Sequence, residues 1–111
     1  EIDIVEMLGQ QPKELWHVAH KNDGERDYKL TRGFDGSEWH IYTLDWHENE
    51  LIFYIDGHEK FRTPNISNTP MYLWMNVAVG GTWVGDPNEK TIFPSSMEVD
   101  YVRIYSKNSD E

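Results

Sequence analysis

Short stretches in which apolar and polar residues alternate, or in which β-branched residues cluster, run along the chain with turn residues between them. Such stretches predict β-strands, because alternate side chains of a strand point to opposite faces of a sheet. Residues 71–79 are almost entirely apolar, which predicts a strand that is buried on both faces. The strands predicted in this way are residues 1–6, 15–20, 39–46, 51–55, 71–79 and 97–105.

Turn signals separate these stretches. Asp56-Gly57 predicts a two-residue hairpin loop of type I′, since Asp and Gly tolerate the positive φ angles that this turn requires. The Asn, Asp and Gly residues within 21–24 predict a second turn. No stretch shows helical periodicity, so the sequence predicts an all-β fold, an antiparallel β-sandwich or jelly roll.

Composition narrows the classes of ligand. The 20 Asp and Glu residues against 10 Lys and Arg give a formal net charge of −10, which argues against nucleic acid and against an anionic membrane surface as partners. The chain has no cysteine, which excludes disulfides, thiolate metal sites and cysteine nucleophiles. With 5 Trp, 6 Tyr and 4 Phe, this acidic chain suits a neutral, flat-faced ligand, and carbohydrate is the leading candidate.

Three carboxylates stand at positions 1, 3 and 6 of the first predicted strand. In a regular strand Glu1 and Asp3 share a face and Glu6 points away, but one β-bulge in Ile4-Val5 would return Glu6 to that face. A row of three acids can supply the nucleophile and the proton donor of glycoside hydrolysis. The alternative is the acidic solvent face of an amphipathic strand, and spacing alone favours this alternative.

The sequence around these acids resembles a known family. Glu1-Ile2-Asp3-Ile4-Val5-Glu6 resembles the signature of glycoside hydrolase family 16, in the form with an extra bulge residue that laminarinases (endo-1,3-β-glucanases) and agarases carry. Four further segments are similar to motifs of that family and follow the same order: 34–46 (FHxYxxxW), 51–57 (ixwYvDG), 71–83 (LNLAVGGxW) and 93–105 (FPxxMxVDYVRVY). The resemblance implies a β-jelly roll of the concanavalin A-like kind, whose concave sheet binds a glycan.

The resemblance also implies roles for the three acids. Glu1 corresponds to the nucleophile, Asp3 to its electrostatic partner and Glu6 to the general acid/base of a retaining double displacement. The implied activity is hydrolysis of internal β-glycosidic bonds in a polysaccharide, and the substrate that the resemblance favours is β-1,3-glucan. A non-catalytic carbohydrate-binding β-sandwich is the main alternative, although the mutual repulsion of three crowded carboxylates would cost a binding module stability. An inactive or incompletely folded fragment is the other alternative.

Further residues receive roles from the same resemblance. It implies that His20 binds the substrate and that Asp100 contributes to a structural Ca²⁺ site, with no cofactor required. Asn76 is polar within an apolar stretch and is expected to face the cleft, because burial without a partner would be costly. The Trp83 indole is a candidate platform on which a pyranose ring could stack. For His20 the alternative is an exposed or hydrogen-bonded core histidine, for Asn76 it is a hydrogen-bonded core amide, and for Trp83 it is a loop anchor. His17 lies three positions before His20 and faces the other side of the strand, so a metal site formed by these two histidines is not expected.

Members of the family are longer than this chain, and their signature strand lies near the middle of the fold. Residues 1–105 therefore resemble the C-terminal half of the catalytic domain, followed by a polar tail at 106–111. This interpretation predicts a partner, either an N-terminal half of the domain or a second copy of the chain, and little hydrolysis by the chain alone. The resemblance also implies a secreted protein, although the chain shows no signal peptide.

Overall fold

The computed structural model describes residues 1–107, and every regular element within them is a β-strand. The chain divides into two compact units, Glu1–Met71 and Tyr72–Glu111, the second of which is described as far as residue 107. Residues 1–107 contain no helix that could cross a membrane. The strands are β1 (Ile2–Glu6), β2 (Glu14–His20), β3 (Arg26–Arg32), β4 (Tyr42–Trp46), β5 (Glu50–Ile55) and β6 (His58–Pro64).

The first unit contains two antiparallel sheets, with strand orders β1-β2-β3 and β4-β5-β6. Their inner faces meet in a small core in which Ala19 of β2 packs with Leu51 and Phe53 of β5. Successive side chains of a strand point to opposite faces of its sheet. Since Ala19 faces the core, its immediate neighbours along β2 point to the outer face of the first sheet. The predicted all-β fold class is therefore confirmed, and one face of the first sheet is left outside the core.

A tight hairpin joins β5 to β6. Asp56 and Gly57 have φ angles of 51° and 79°, and Ile55 pairs directly with His58, as the Asp-Gly signal predicted. The Asp56 carboxylate also accepts a hydrogen bond from the backbone N–H of Ile41 at 2.8 Å. The loop is thus held by its backbone geometry and by a side-chain contact to the segment before β4.

Two strands of the first unit differ from the prediction. The pattern assigned no strand to the charged stretch that forms β3, which is an edge strand of its sheet. The predicted strand 39–46 begins at Tyr42 instead, because His40 and Ile41 hydrogen-bond to the Asp56 side chain in place of a neighbouring strand. The predicted turn at 21–24 is present, with the N–H of Gly24 donating to the carbonyl of Lys21.

The strands predicted at 71–79 and 97–105 are wrong for this structure. Neither stretch is a strand, and both are exposed along their whole length, so the predicted burial of 71–79 is wrong too. A strand requires a neighbour that accepts and donates its ladder hydrogen bonds, and the described part of the chain provides none for these stretches. Residues 108–111 of the predicted polar tail lie outside the described residues.

Candidate active site

An extra residue interrupts the pairing of β1 with β2. Asp3 lies opposite Val18, and Glu6 lies opposite Trp16. Three steps along β1 therefore match two steps along β2, which defines a β-bulge. The extra bulge residue that the resemblance implied in this strand is confirmed, between Asp3 and Glu6.

The bulge brings three carboxylates onto the outer face of the first sheet. Directly opposite residues of an antiparallel pair point to the same face, as do residues two apart on one strand. The β2 partners of Asp3 and Glu6 are two apart, so Asp3 and Glu6 share a face. Glu1, two residues before Asp3, joins them, and the N–H of His20 donates to the Glu1 carbonyl at 2.9 Å.

Asp3 lies between Glu1 and His20 and is the least exposed of the three. His20 Nε2 is 2.8 Å from Asp3 Oδ2 and 3.9 Å from Glu1 Oε1. The exposed fraction of the side chain is 68% for Glu1, 35% for His20 and 19% for Asp3. These three residues therefore form a connected polar cluster, with Glu6 on the same face.

The surroundings of Asp3 favour its protonated form. Partial burial, a hydrogen bond with Glu1 and the negative charges of Glu1 and Glu6 raise the pKa of Asp3 to about 6, although the hydrogen bond with His20 acts in the opposite direction. A neutral Asp3 is a hydrogen-bond donor, whereas an ionised one is only an acceptor. The cluster can thus carry one shared proton and avoid a third negative charge.

An aromatic pair lies on the same face of the sheet. Trp16 stands opposite Glu6, and the ring of Tyr28 on β3 lies 5.7 Å from the Trp16 ring, centroid to centroid. The Arg26 guanidinium covers Tyr28 at 5.7 Å, and Tyr28 remains 56% exposed. Neither aromatic residue was predicted as a site residue, although Trp16 alternates along β2 with residues that face the core.

The remaining predicted site residues belong to the second unit. Asn76, Trp83 and Asp100 are exposed, and Trp83 has 54% of its surface accessible. The structure brings Glu1, Asp3, Glu6 and His20 together in the first unit.

Asp100, which the resemblance implies as a calcium ligand, has no further carboxylate converging on it among residues 1–107. Ca²⁺ takes six to eight oxygen ligands, with several carboxylates among them in typical sites. Among residues 1–107, the group of three or more acidic or histidine side chains with converging ligand atoms is Glu1, Asp3 and His20, whose atoms lie within 4.8 Å of one another. Asp100 belongs to no such group, so no function is derived from calcium at this position.

Comparison with known proteins identifies the family. A sequence profile of glycosyl hydrolases family 16 matches residues 1–103. The chain belongs to this family. The match includes β1 and its bulge, both sheets of the first unit and most of the second unit.

Several relatives of this chain have names that describe glycan-cleaving enzymes. The chain is 35% identical to an endo-1,3-1,4-beta-glycanase of Rhizobium meliloti, over 99% of this chain and 24% of that protein. It is 31% identical to a glucan endo-1,3-beta-glucosidase of Niallia circulans, over 96% of this chain and 19% of that protein. A beta-glucanase of Rhodothermus marinus is 30% identical, over 95% of this chain and 44% of that protein.

A solved structure supports the same assignment. The laminarinase catalytic domain of Thermotoga maritima, solved in complex with cetyltrimethylammonium bromide, superposes with a TM-score of 0.74 at 31% identity, and the match covers 83% of this chain and 44% of that one. The architecture is therefore that of a jelly-roll fragment of a laminarinase domain. The chain spans less than half the length of each of these relatives.

Proposed function

We propose that this chain carries the catalytic residues of a retaining endo-β-glucanase acting on β-1,3-glucan of the laminarin type. The observation that carries the proposal is the bulge in β1, which sets Glu6 on the same face as Glu1 and Asp3. Without it, Glu6 would point to the opposite face, and the site would have lost one of the two carboxylates that a glycosidase requires. The names of the relatives, which include glucan endo-1,3-beta-glucosidase and beta-glucanase, agree with a glucan substrate.

In the first step a carboxylate oxygen of Glu1 attacks the anomeric carbon of the glucan. The bond from that carbon to the glycosidic oxygen breaks, and Glu6 gives its proton to the departing oxygen. In the second step Glu6 takes a proton from water, and the water oxygen displaces Glu1 from the anomeric carbon. The sugar leaves with its original anomeric configuration, and both carboxyl groups return to their starting protonation states.

Asp3 and His20 serve this cycle through the charge of the cluster. Asp3 hydrogen-bonds to both Glu1 and His20, so its proton offsets the repulsion between neighbouring carboxylates. When Glu1 forms its bond to the sugar it loses its charge, and Asp3 can then ionise at lower cost. His20 fixes the orientation of the Asp3 carboxyl group in both states.

The substrate would lie along the outer face of the first sheet. The flat face of a pyranose ring packs well on an aromatic ring, and the partly exposed Trp16–Tyr28 pair provides such a surface next to Glu6. We also assign glycan contacts to Asn76 and Trp83, on the likeness of residues 71–83 to the family motif. Secretion belongs to the same proposal and rests on the family likeness alone.

The chain is proposed to act together with a complementary N-terminal half or with a second copy of itself. The apolar residues of 71–79 and 97–105 are exposed, and neither stretch has a strand partner among the described residues. A jelly roll covers such residues with strands of the opposite sheet. The competent enzyme is therefore the assembly, and assays use the chain both alone and with an N-terminal half added.

The decisive experiment replaces each glutamate in turn. In the active assembly, Glu1→Gln and Glu6→Gln should each reduce the release of reducing sugar from laminarin by at least about 100-fold, because neither step can proceed without its carboxyl group. NMR of the first product should show retained anomeric configuration. Glu25→Gln, in an exposed turn, is the matched control and should leave turnover unchanged.

The result also separates the two candidate functions. Near-normal turnover in either glutamine variant would contradict the catalytic assignment. An assembly that binds laminarin but releases no sugar in any form would favour the carbohydrate-binding module instead.

A further inference from the structure

The bulge in β1 has a side-chain contact of its own, on the face opposite the acids. His17 is the β2 residue that stands opposite the extra residue of β1, between the pairs Asp3–Val18 and Glu6–Trp16. Its Nδ1 atom lies 2.7 Å from the carbonyl oxygen of Ile4, inside the bulge. A bulge interrupts the regular ladder at its extra residue, and His17 provides a hydrogen-bond partner at that point.

The protonation state of His17 follows from its surroundings. The residue is completely buried, its ring lies 5.1 Å from that of Phe53, and burial lowers its pKa. A neutral imidazole carries one proton, and the Ile4 carbonyl can only accept, so the proton is on Nδ1. Nε2 is then a buried acceptor, and it has no hydrogen-bond partner in the described chain.

The unpartnered Nε2 atom distinguishes His17 from an ordinary core residue. Burying a polar atom without a partner costs free energy, and an apolar side chain of similar size would avoid this cost. The other ring nitrogen makes the only specific contact that His17 has with β1 among the hydrogen bonds of the described residues. The benefit that offsets the cost is therefore to be found at the Ile4 carbonyl.

We propose that His17 is a positioning residue, which acts through the Ile4 carbonyl to hold the bulge and thereby keeps Glu6 on the catalytic face. In a register without the bulge, Val5 would lie opposite Trp16, and Glu6 would turn toward the opposite face of the sheet. The inference rests on the proposed roles of Glu1 and Glu6. According to this proposal, His17 on the hydrophobic face of the sheet determines the position of Glu6 on the polar face.

Two substitutions separate the hydrogen bond from the volume of the ring. His17→Leu fills the core position without a donor, whereas His17→Asn places an amide N–H near the position of Nδ1 and has no counterpart of Nε2. Phe53→Leu is the control, because it disturbs the same core and leaves the contact to Ile4 in place. All three variants are expected to be less stable than the wild type, so stability alone does not test the proposal.

The first measurement uses the 111-residue chain by itself and needs no activity. In the wild type and in His17→Asn, NMR should show cross-strand proton contacts between Glu6 and Trp16, as the bulged register requires. In His17→Leu these contacts should weaken, and contacts between Val5 and Trp16 should appear. Retention of the Glu6–Trp16 contacts in a folded His17→Leu variant would overturn the proposal.

The second measurement uses the active assembly and two substrates that differ in their need for an acid. On laminarin, kcat/KM should fall by at least about 100-fold in His17→Leu, as in Glu6→Gln, because the general acid no longer faces the substrate. On a dinitrophenyl β-glucoside of a laminarin oligosaccharide, whose leaving group needs no proton, kcat/KM should be nearly unchanged. His17→Asn should resemble the wild type on both substrates.

The controls distinguish a failure of this inference from a failure of the proposed function. Phe53→Leu should change kcat/KM on both substrates by the same factor, as expected of a structural effect. The inference is wrong if His17→Leu also changes kcat/KM by the same factor on both substrates while Glu6→Gln lowers it on laminarin only. His17 would then be an ordinary core residue. If Glu6→Gln itself shows no loss on laminarin, the proposed function fails first.

Discussion

Asp3 is the residue at which burial, hydrogen bonding and charge act together in this site. Its side chain is more buried than that of Glu1 or His20, and both glutamates of the face raise its pKa, to about 6. An acid with a raised pKa binds its proton more tightly in the folded state than in the unfolded chain. Asp3 therefore destabilises the fold at neutral pH, in exchange for a charge distribution that suits catalysis.

The sign of this effect gives a prediction for Asp3→Asn. As the pH rises from about 4 to about 6, the unfolded chain loses the Asp3 proton before the native state does, so the wild type loses stability over this interval. At about pH 7.5 Asp3→Asn should raise the free energy of unfolding by about 2 kcal/mol, and at about pH 3.5 it should have little effect. Urea unfolding at both pH values measures the difference.

Asp86→Asn is the matched control, since it removes the same charge from an exposed position in the second unit. An equal gain in both variants would assign the effect to the net charge of −10 and not to the cluster. In the active assembly, Asp3→Asn should lower activity less than either glutamate substitution and should shift the pH–rate profile. An unchanged rate and profile would mean that Asp3 takes no part in the proton transfers.

At the scale of elements, the hairpin between β5 and β6 supports the core behind the site. These two strands contribute Leu51, Phe53 and Phe61, which pack behind Ala19 of the first sheet. The loop depends on Gly57, whose φ of 79° lies in the left-handed region that favours glycine. No atom lies within 4 Å of the position of an added Cβ, so the strain of a substitution there would be purely conformational.

Gly57→Ala should therefore lower the free energy of unfolding by about 1–2 kcal/mol, the cost of a left-handed conformation for a residue with a Cβ. Gly9→Ala is the control, because Gly9 also has open space around it but has no positive φ. That substitution should leave stability unchanged or raise it by up to about 1 kcal/mol. Equal losses in both variants, measured by thermal unfolding, would contradict the assignment of the cost to the hairpin.

The elements also show which parts of the structure the sequence determines locally. The Asp-Gly hairpin was predictable because it depends on two neighbouring residues, whereas the bulge was expected from the resemblance of residues 1–6 to the family signature, since the spacing of the acids alone favoured a regular strand. β3 was missed because an edge strand needs few apolar residues, and Tyr28 was missed with it. Trp16 lies in a strand that was predicted, but its pairing with Tyr28 depends on β3. The strands expected at 71–79 and 97–105 depend on neighbours, and local pattern contains no information about whether a neighbour is present.

At the scale of the whole molecule, the two units differ in how far their apolar side chains are buried. In the first unit, Leu15, Ala19, Leu51 and Phe53 are fully buried. In the second unit, by contrast, large apolar side chains lie at the surface of the described residues, with exposed fractions of 72% at Trp74, 83% at Ile104 and 82% at Tyr105. Exposed apolar area of this kind marks an interaction surface or an aggregation risk.

The exposed stretches lead to a prediction about association. The pure 111-residue chain should sediment as a dimer or larger species, or should form a complex when an N-terminal half of the domain is added, because unpaired backbone and apolar side chains favour strand addition between chains. In the same samples, hydrolysis of laminarin should be low for the chain alone and should rise when the N-terminal half binds. Analytical ultracentrifugation and a reducing-sugar assay on each fraction test both statements.

Charged substitutions in the exposed stretch locate the contact. The double variant Val77→Lys, Val79→Lys should shift the chain toward the monomer, since each lysine would have to be buried in the contact. Ile92→Lys is the control, because Ile92 is 79% exposed but lies outside both apolar stretches. A monomer of 13.1 kDa that hydrolyses laminarin at full rate without an N-terminal half would overturn the half-domain interpretation. The acids of β1 would then have to work on a smaller scaffold than the family uses.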